Sequence, residues 1–119
     1  MSGADLAELF ISAAEGMTSL MVSDPQDVSQ EIAKIIKIKA VDTESLLVEW
    51  LSELAYWAEA QMLIFKTFRF QRITTDHLEA TATGGKTVEL DKYIKAVTYH
   101  NLRIVKTRQG YETIIVFDV

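Results

Sequence analysis

The chain has 119 residues, enough for one domain with a single modest core. It contains no cysteine, which excludes disulfides, thiolate metal sites and a cysteine nucleophile, and suits a reducing cytoplasm. The net charge is -5, and the Lys and Arg residues are dispersed, with only "KIIKIK" and "KTR" approaching a cluster. Direct gripping of RNA or DNA is therefore not expected, because phosphate contacts supply most of such binding and need a basic face.

In chain order, Leu6, Leu9, Phe10, Ala13, Met17, Leu20 and Met21 recur at intervals of three and four, which predicts an amphipathic helix over Ala4 to Met21. Gly16 lies inside that helix at a cost of about 1 kcal/mol relative to Ala, and marks a close packing contact. "SDPQDVS", with the single proline, Pro25, ends the pattern. A strand is predicted from Glu31 to Val41, with Ile32, Ile36 and Ile38 on one face and Ile35, Lys37 and Lys39 on the other. Asp42 is the N-cap of a second helix reaching Met62, whose apolar stripe runs Leu46, Leu47, Trp50, Leu51, Leu54, Trp57, Ala58.

Further strands are predicted over Ile64 to Ile73, Leu78 to Thr83, Ala96 to Lys106 and Tyr111 to Val119, the last two joined by the short turn "TRQG". The fold class is α+β: two helices packed on one face of a mostly antiparallel sheet, in a single domain over residues 1–119. Apolar runs are short, and "MSGADLAELF" lacks the basic start of a signal peptide. A soluble, cytoplasmic protein with no membrane association is expected.

The motifs that could carry chemistry divide unevenly. "ATATGGKT" ends like a phosphate loop but has Ala80 in place of the leading glycine, and "VELDKYI" after it is a weak helix; a Gly-Gly turn is expected instead. His77 and His100 stand far apart in sequence, His77 as a turn residue and His100 as a strand residue, so a zinc site would need distant carboxylates. "KAVTYH", Lys95 to His100, gathers polar groups, but alternation puts Lys95, Val97 and Tyr99 on one face and Ala96, Thr98 and His100 on the other. They cannot converge as one catalytic cluster. At the other end "IIVFDV" places Asp118 beside Val119 and the terminal carboxylate; the residues alone favour a frayed tail with both groups in water, and the alternative is a cation between them, either Lys95 or a hard divalent ion.

"KAVTYH" with the terminal "FDV" closely resembles the archease family, and "LAELFISAAEGMTSLM" and "DTESLLVEWLSELAYWAE" look like that family's two helices. The resemblance implies an accessory protein without catalysis of its own: an activator of the tRNA-splicing RNA ligase that promotes ligase guanylylation and multiple turnover. RNA would be met only through that ligase. It further implies a divalent ion, calcium with magnesium or manganese as alternatives, near Asp118 and Val119, and a functional lysine at Lys95. The family's usual N-terminal strand, His-Thr-Ala-Asp, whose Asp is a further metal ligand, is lacking here, and Asp5, which reads as helix N-cap, is no adequate substitute. An absent strand would leave a sheet edge open to homodimerisation by strand addition. Two other readings stand beside this one: a chaperone-like interaction module whose tip does no chemistry, and a small hydrolase using His100 and a carboxylate.

Overall fold

A computed structural model describes residues 1–98 and 102–119 of the chain. It opens on a short strand, β1 (Ser2–Gly3), followed by helix α1 (Leu6–Met21). Asp5 is in extended backbone and its carboxylate accepts the Glu8 amide at 2.8 Å, while the Glu8 carboxylate accepts the Ala4 amide at 2.6 Å. This reciprocal pair satisfies donors that the first helical turn leaves free, which is why the helix begins at Leu6 and not at Ala4. Gly16 does mark a close contact: a Cβ there would stand 2.7 Å from the Met1 terminal methyl.

The main sheet holds three antiparallel strands in the order β2-β4-β3: β2 (Ile32–Lys39), β3 (Leu63–Ile73) and β4 (His77–Lys86). Helix α2 (Thr43–Gln61) connects β2 to β3; it is capped by Asp42, which accepts the Ser45 amide at 2.8 Å. Alternation along β2 is as predicted, with Ile36 buried and Ile35, Lys37 and Lys39 exposed. Both helices lie on the buried face of this sheet, so the predicted two-helix layer is observed.

Trp50 sits at the centre of that layer with no exposed surface. Its indole N–H donates to the Phe10 carbonyl at 3.1 Å, and its ring lies 5.6 Å from Phe68 and 5.1 Å from Phe70. The central strand faces these rings with Ala80 and Ala82. Small side chains on the middle strand leave the volume that the aromatic side chains fill. Lys34, at an inward position of β2, lays its ammonium 4.9 Å from the Trp57 ring centre, so its charge meets a π face at the margin of the core.

Three expectations are corrected. First, "GG" is no turn: Gly84 and Gly85 lie within β4, Gly84 between Ile32 of β2 and Phe65 of β3. A Cβ on Gly84 would collide with the Ile64 carbonyl, so the glycine serves close backbone approach. "VELDKYI" after it forms no helix. Second, the long C-terminal hairpin is broken into two ladders. β5 (Ala96–Thr98) pairs with β8 (Val116–Asp118), and β6 (Val105–Thr107) pairs with β7 (Gly110–Glu112) around a turn in which Gly110 takes φ +140°. Between them, Thr113 gives its amide and carbonyl to Met1 (2.9 and 3.0 Å) and its hydroxyl to the Arg103 carbonyl (2.7 Å), so its backbone is spent on the N-terminus.

Third, the N-terminal strand is present. β1 pairs antiparallel with β7, Ser2 opposite Glu112 and Gly3 opposite Tyr111. The run Ser2-Gly3-Ala4-Asp5 therefore goes from strand to N-cap, and His-Thr-Ala-Asp itself does not occur in it. The strand was missed because two paired residues are too few to show a period. β1 is itself the edge strand of the β1-β7-β6 sheet.

Candidate functional site

The two ends singled out from sequence come together. β5 and β8 pair antiparallel with Ala96 opposite Asp118, Val97 opposite Phe117 and Thr98 opposite Val116. The ladder is extended by the Lys95 amide, which donates to the Asp118 carbonyl at 2.7 Å. Ile94 and Val97 are buried and Phe117 is partly buried against the core, which anchors the pair of strands from below. Lys95, Asp118 and Val119 are all exposed above this anchor.

The link between Lys95 and Asp118 is made by the backbone. Among the described residues, no ion pair joins the Lys95 ammonium to a carboxylate. Directly opposed residues of a ladder share a face, so the Asp118 side chain stands on the Ala96 side. Lys95 borders a shallow groove of about 170 Å³ against α2, together with Tyr56 and Glu59. The alternative in which Lys95 neutralises the tip by direct pairing is thus not the arrangement observed.

The donor set can be judged for a metal. Among the described residues, no group of three or more His, Asp and Glu is placed to hold an ion. Asp118 with a main-chain oxygen of Val119 is a hard-oxygen set suited to a divalent ion that keeps much of its water; it is not a closed calcium cage, which needs six to eight oxygens. Tyr99 and His100, and with them the small-hydrolase reading, lie outside the described residues. His77 has a local role at the start of β4. Its Nδ1 is 2.8 Å from the Thr74 hydroxyl and 2.9 Å from the Asp76 carboxylate, an arrangement that closes the β3–β4 turn. These bonds, the one from His77 first, hold the Asp76 carboxyl below the ordinary aspartate value.

The model of the Archease protein family (MTH1598/TM1083) matches residues 1–119. The chain belongs to the archease family. It is 36% identical over 120 residues to the protein archease of Methanosarcina barkeri, an alignment covering 94% of this chain and 82% of that protein. With the protein archease of Archaeoglobus fulgidus it shares 30% identity, covering 98% of this chain and 88% of the relative. Among solved structures, protein 1598 of Methanobacterium thermoautotrophicum superposes with a TM-score of 0.69 at 29% identity, covering 87% of this chain and 78% of that one. An archease from Thermotoga maritima, described as a possible chaperone, superposes with a TM-score of 0.67 at 18% identity, covering 100% and 87%. The α+β archease fold expected from the residues is therefore the fold of the chain.

Proposed function

We propose that this archease is an accessory protein of the tRNA-splicing RNA ligase, promoting ligase guanylylation and multiple turnover through its exposed tip. The observation that carries the reading is the β5–β8 ladder, which brings Lys95 and Asp118 to one exposed end through the bond between the Lys95 amide and the Asp118 carbonyl. Asp118 and a main-chain oxygen of Val119 are the donors for a divalent ion, calcium in the first instance and magnesium or manganese otherwise. When bound, the ion supplies positive charge that can meet phosphate oxygens in the ligase pocket. Lys95, on the other face of the same ladder end, supplies an ammonium, and a point charge on a flexible stem suits a phosphate whose position changes during reaction.

The test is ligase turnover with a cleaved tRNA substrate in excess, with and without this protein. Asp118→Ala should abolish stimulation while its melting curve matches the parent's. A folded Asp118→Ala protein that stimulates fully would overturn the reading. Calcium titration by calorimetry should show binding in the parent and none in the variant. The second reading, a chaperone-like interaction module, is favoured by exposed apolar side chains near β6–β8, Ile114 (85% exposed), Val116 and Val105. That module should tolerate Asp118→Asn.

A further inference from the structure

The helices cover one face of the β2-β4-β3 sheet, and among the described residues no helix packs on the other. Residues 26–30 cover one end of the sheet, bonding to Lys66 and Thr67 and lying against Gly85. Along the open face β2 presents Lys37 and Lys39, and β3 presents Arg69 and Arg72, all exposed. The register places Lys37 and Arg72 on either side of Glu79 in the central strand, and Lys39 beside His77. Four of the chain's twelve Lys and Arg, with one of its seventeen Asp and Glu, thus share a patch of about 20 by 10 Å at ordinary strand spacings.

The one carboxylate does not neutralise this patch. Glu79 lies 3.8 Å from Lys37, with both side chains open to solvent (42% and 71%), a geometry that water and salt screen. At the far end, the Asp76 carboxylate, bonded to Thr74 and His77, also offsets part of the Lys39 charge, and Asp42 caps α2 through the Ser45 amide. In a chain of net charge -5, a locally basic face is a departure from the whole, and it selects a negatively charged partner. A depression of about 350 Å³ lies among Lys37, Lys39, Arg72 and His77.

The chemistry of the face narrows the partner. Among the cations stand Thr81, Gln71 and the exposed Ile35, with Thr83 one row beyond, and among the described residues no Phe, Tyr or Trp points outward from the three strands. Protein interfaces concentrate aromatic, Met and Arg side chains and are depleted in Lys, whereas Arg together with Lys, Thr and Gln is the set that contacts phosphate and sugar. We infer that the open face of the β2-β4-β3 sheet binds the backbone of single-stranded RNA, through Lys37, Lys39, Arg69 and Arg72. Without a stacking aromatic the contact is tolerant of base sequence. The threonine hydroxyls and Gln71 amide offer partners to the 2′-hydroxyl, which favours RNA over DNA. Sequence inspection misses the face because its cations lie in two segments, β2 and β3, that only pairing with β4 brings together. Neither Lys95 nor Asp118 takes part, so this inference stands apart from the tip.

The experiment is fluorescence anisotropy with a labelled oligouridine between about 50 and about 200 mM salt. The parent should bind with a log–log salt slope of about -2 to -3, the value for three to four phosphates on a single strand. The double variant Lys39→Glu, Arg69→Glu should lose at least about tenfold in affinity at the lower salt. A second double variant, Lys92→Glu with Arg108→Glu, makes the same change in net charge away from the face and should keep parental binding. No binding by the parent, or an equal loss in both variants, would overturn the inference. Equal binding of oligothymidine would overturn the RNA assignment, and displacement by polyglutamate at matched charge would assign the face to an acidic protein instead. Melting curves of both variants should match the parent's, since all four positions are exposed.

Discussion

The helix-covered sheet and the β5–β8 tip are built on different terms. In the sheet, strands of eight to eleven residues carry side chains that interlock with two helices around Trp50, and stability comes from buried apolar surface. At the tip, two three-residue strands hold each other by backbone bonds above a few anchoring side chains, and the outward residues are free of packing duty. The lesson is a division of labour: a position whose side chain supports nothing can be given to recognition, while its backbone is still held in place.

Breaking the first region should have the largest effect. Trp50→Ala removes a fully buried ring system and its hydrogen bond to Phe10, and should cost about 3–5 kcal/mol in denaturant unfolding. A cost below about 1 kcal/mol would show that the packing around Trp50 is not the centre of stability. Gly84→Val tests the close approach of β4 to β3. With the Ile64 carbonyl in the way of any Cβ, a loss of about 1–3 kcal/mol is expected, and a neutral result would place the glycine back in a loop.

The tip should answer oppositely. Asp118→Ala should change unfolding free energy by less than about 0.5 kcal/mol while removing ligase stimulation, so one mutation separates recognition from stability. The smallest effect is in acid. The Ser45 amide holds the Asp42 carboxyl below the ordinary aspartate value, and the His77 ring followed by the Thr74 hydroxyl does the same for Asp76. A carboxyl whose folded pKa is depressed stabilises the fold above its unfolded value, about 3.9, and loses that contribution as the pH falls further. Melting temperature should accordingly be flat from neutral pH to about 4 and decline below it. Asp42→Asn with Asp76→Asn should shallow that decline. An unchanged acid limb would assign the loss to other carboxylates.

Much of the architecture was legible in the residues because it rests on periodicity. The apolar stripe from Leu46 to Ala58, the alternation of Ile32, Ile36 and Ile38 with Lys37 and Lys39, and the caps at Asp5 and Asp42 are local patterns, and the fold obeys them. The candidate site was legible in part: the ladder does join Lys95 to Asp118, though by backbone and not by an ion pair.

Sequence by itself determined the helices, the family and the chemical character of each strand face, since propensity, capping and hydrophobic period act over a few neighbours. Only the tertiary structure decided which strands meet. Gly84 looks like a turn until Ile32 and Phe65 flank it, and Ser2–Gly3 shows no pattern until Glu112 and Tyr111 pair with it. The basic face likewise exists only once β2, β4 and β3 are side by side. Strand pairing is a contact between residues distant along the chain, and no local pattern encodes its partner.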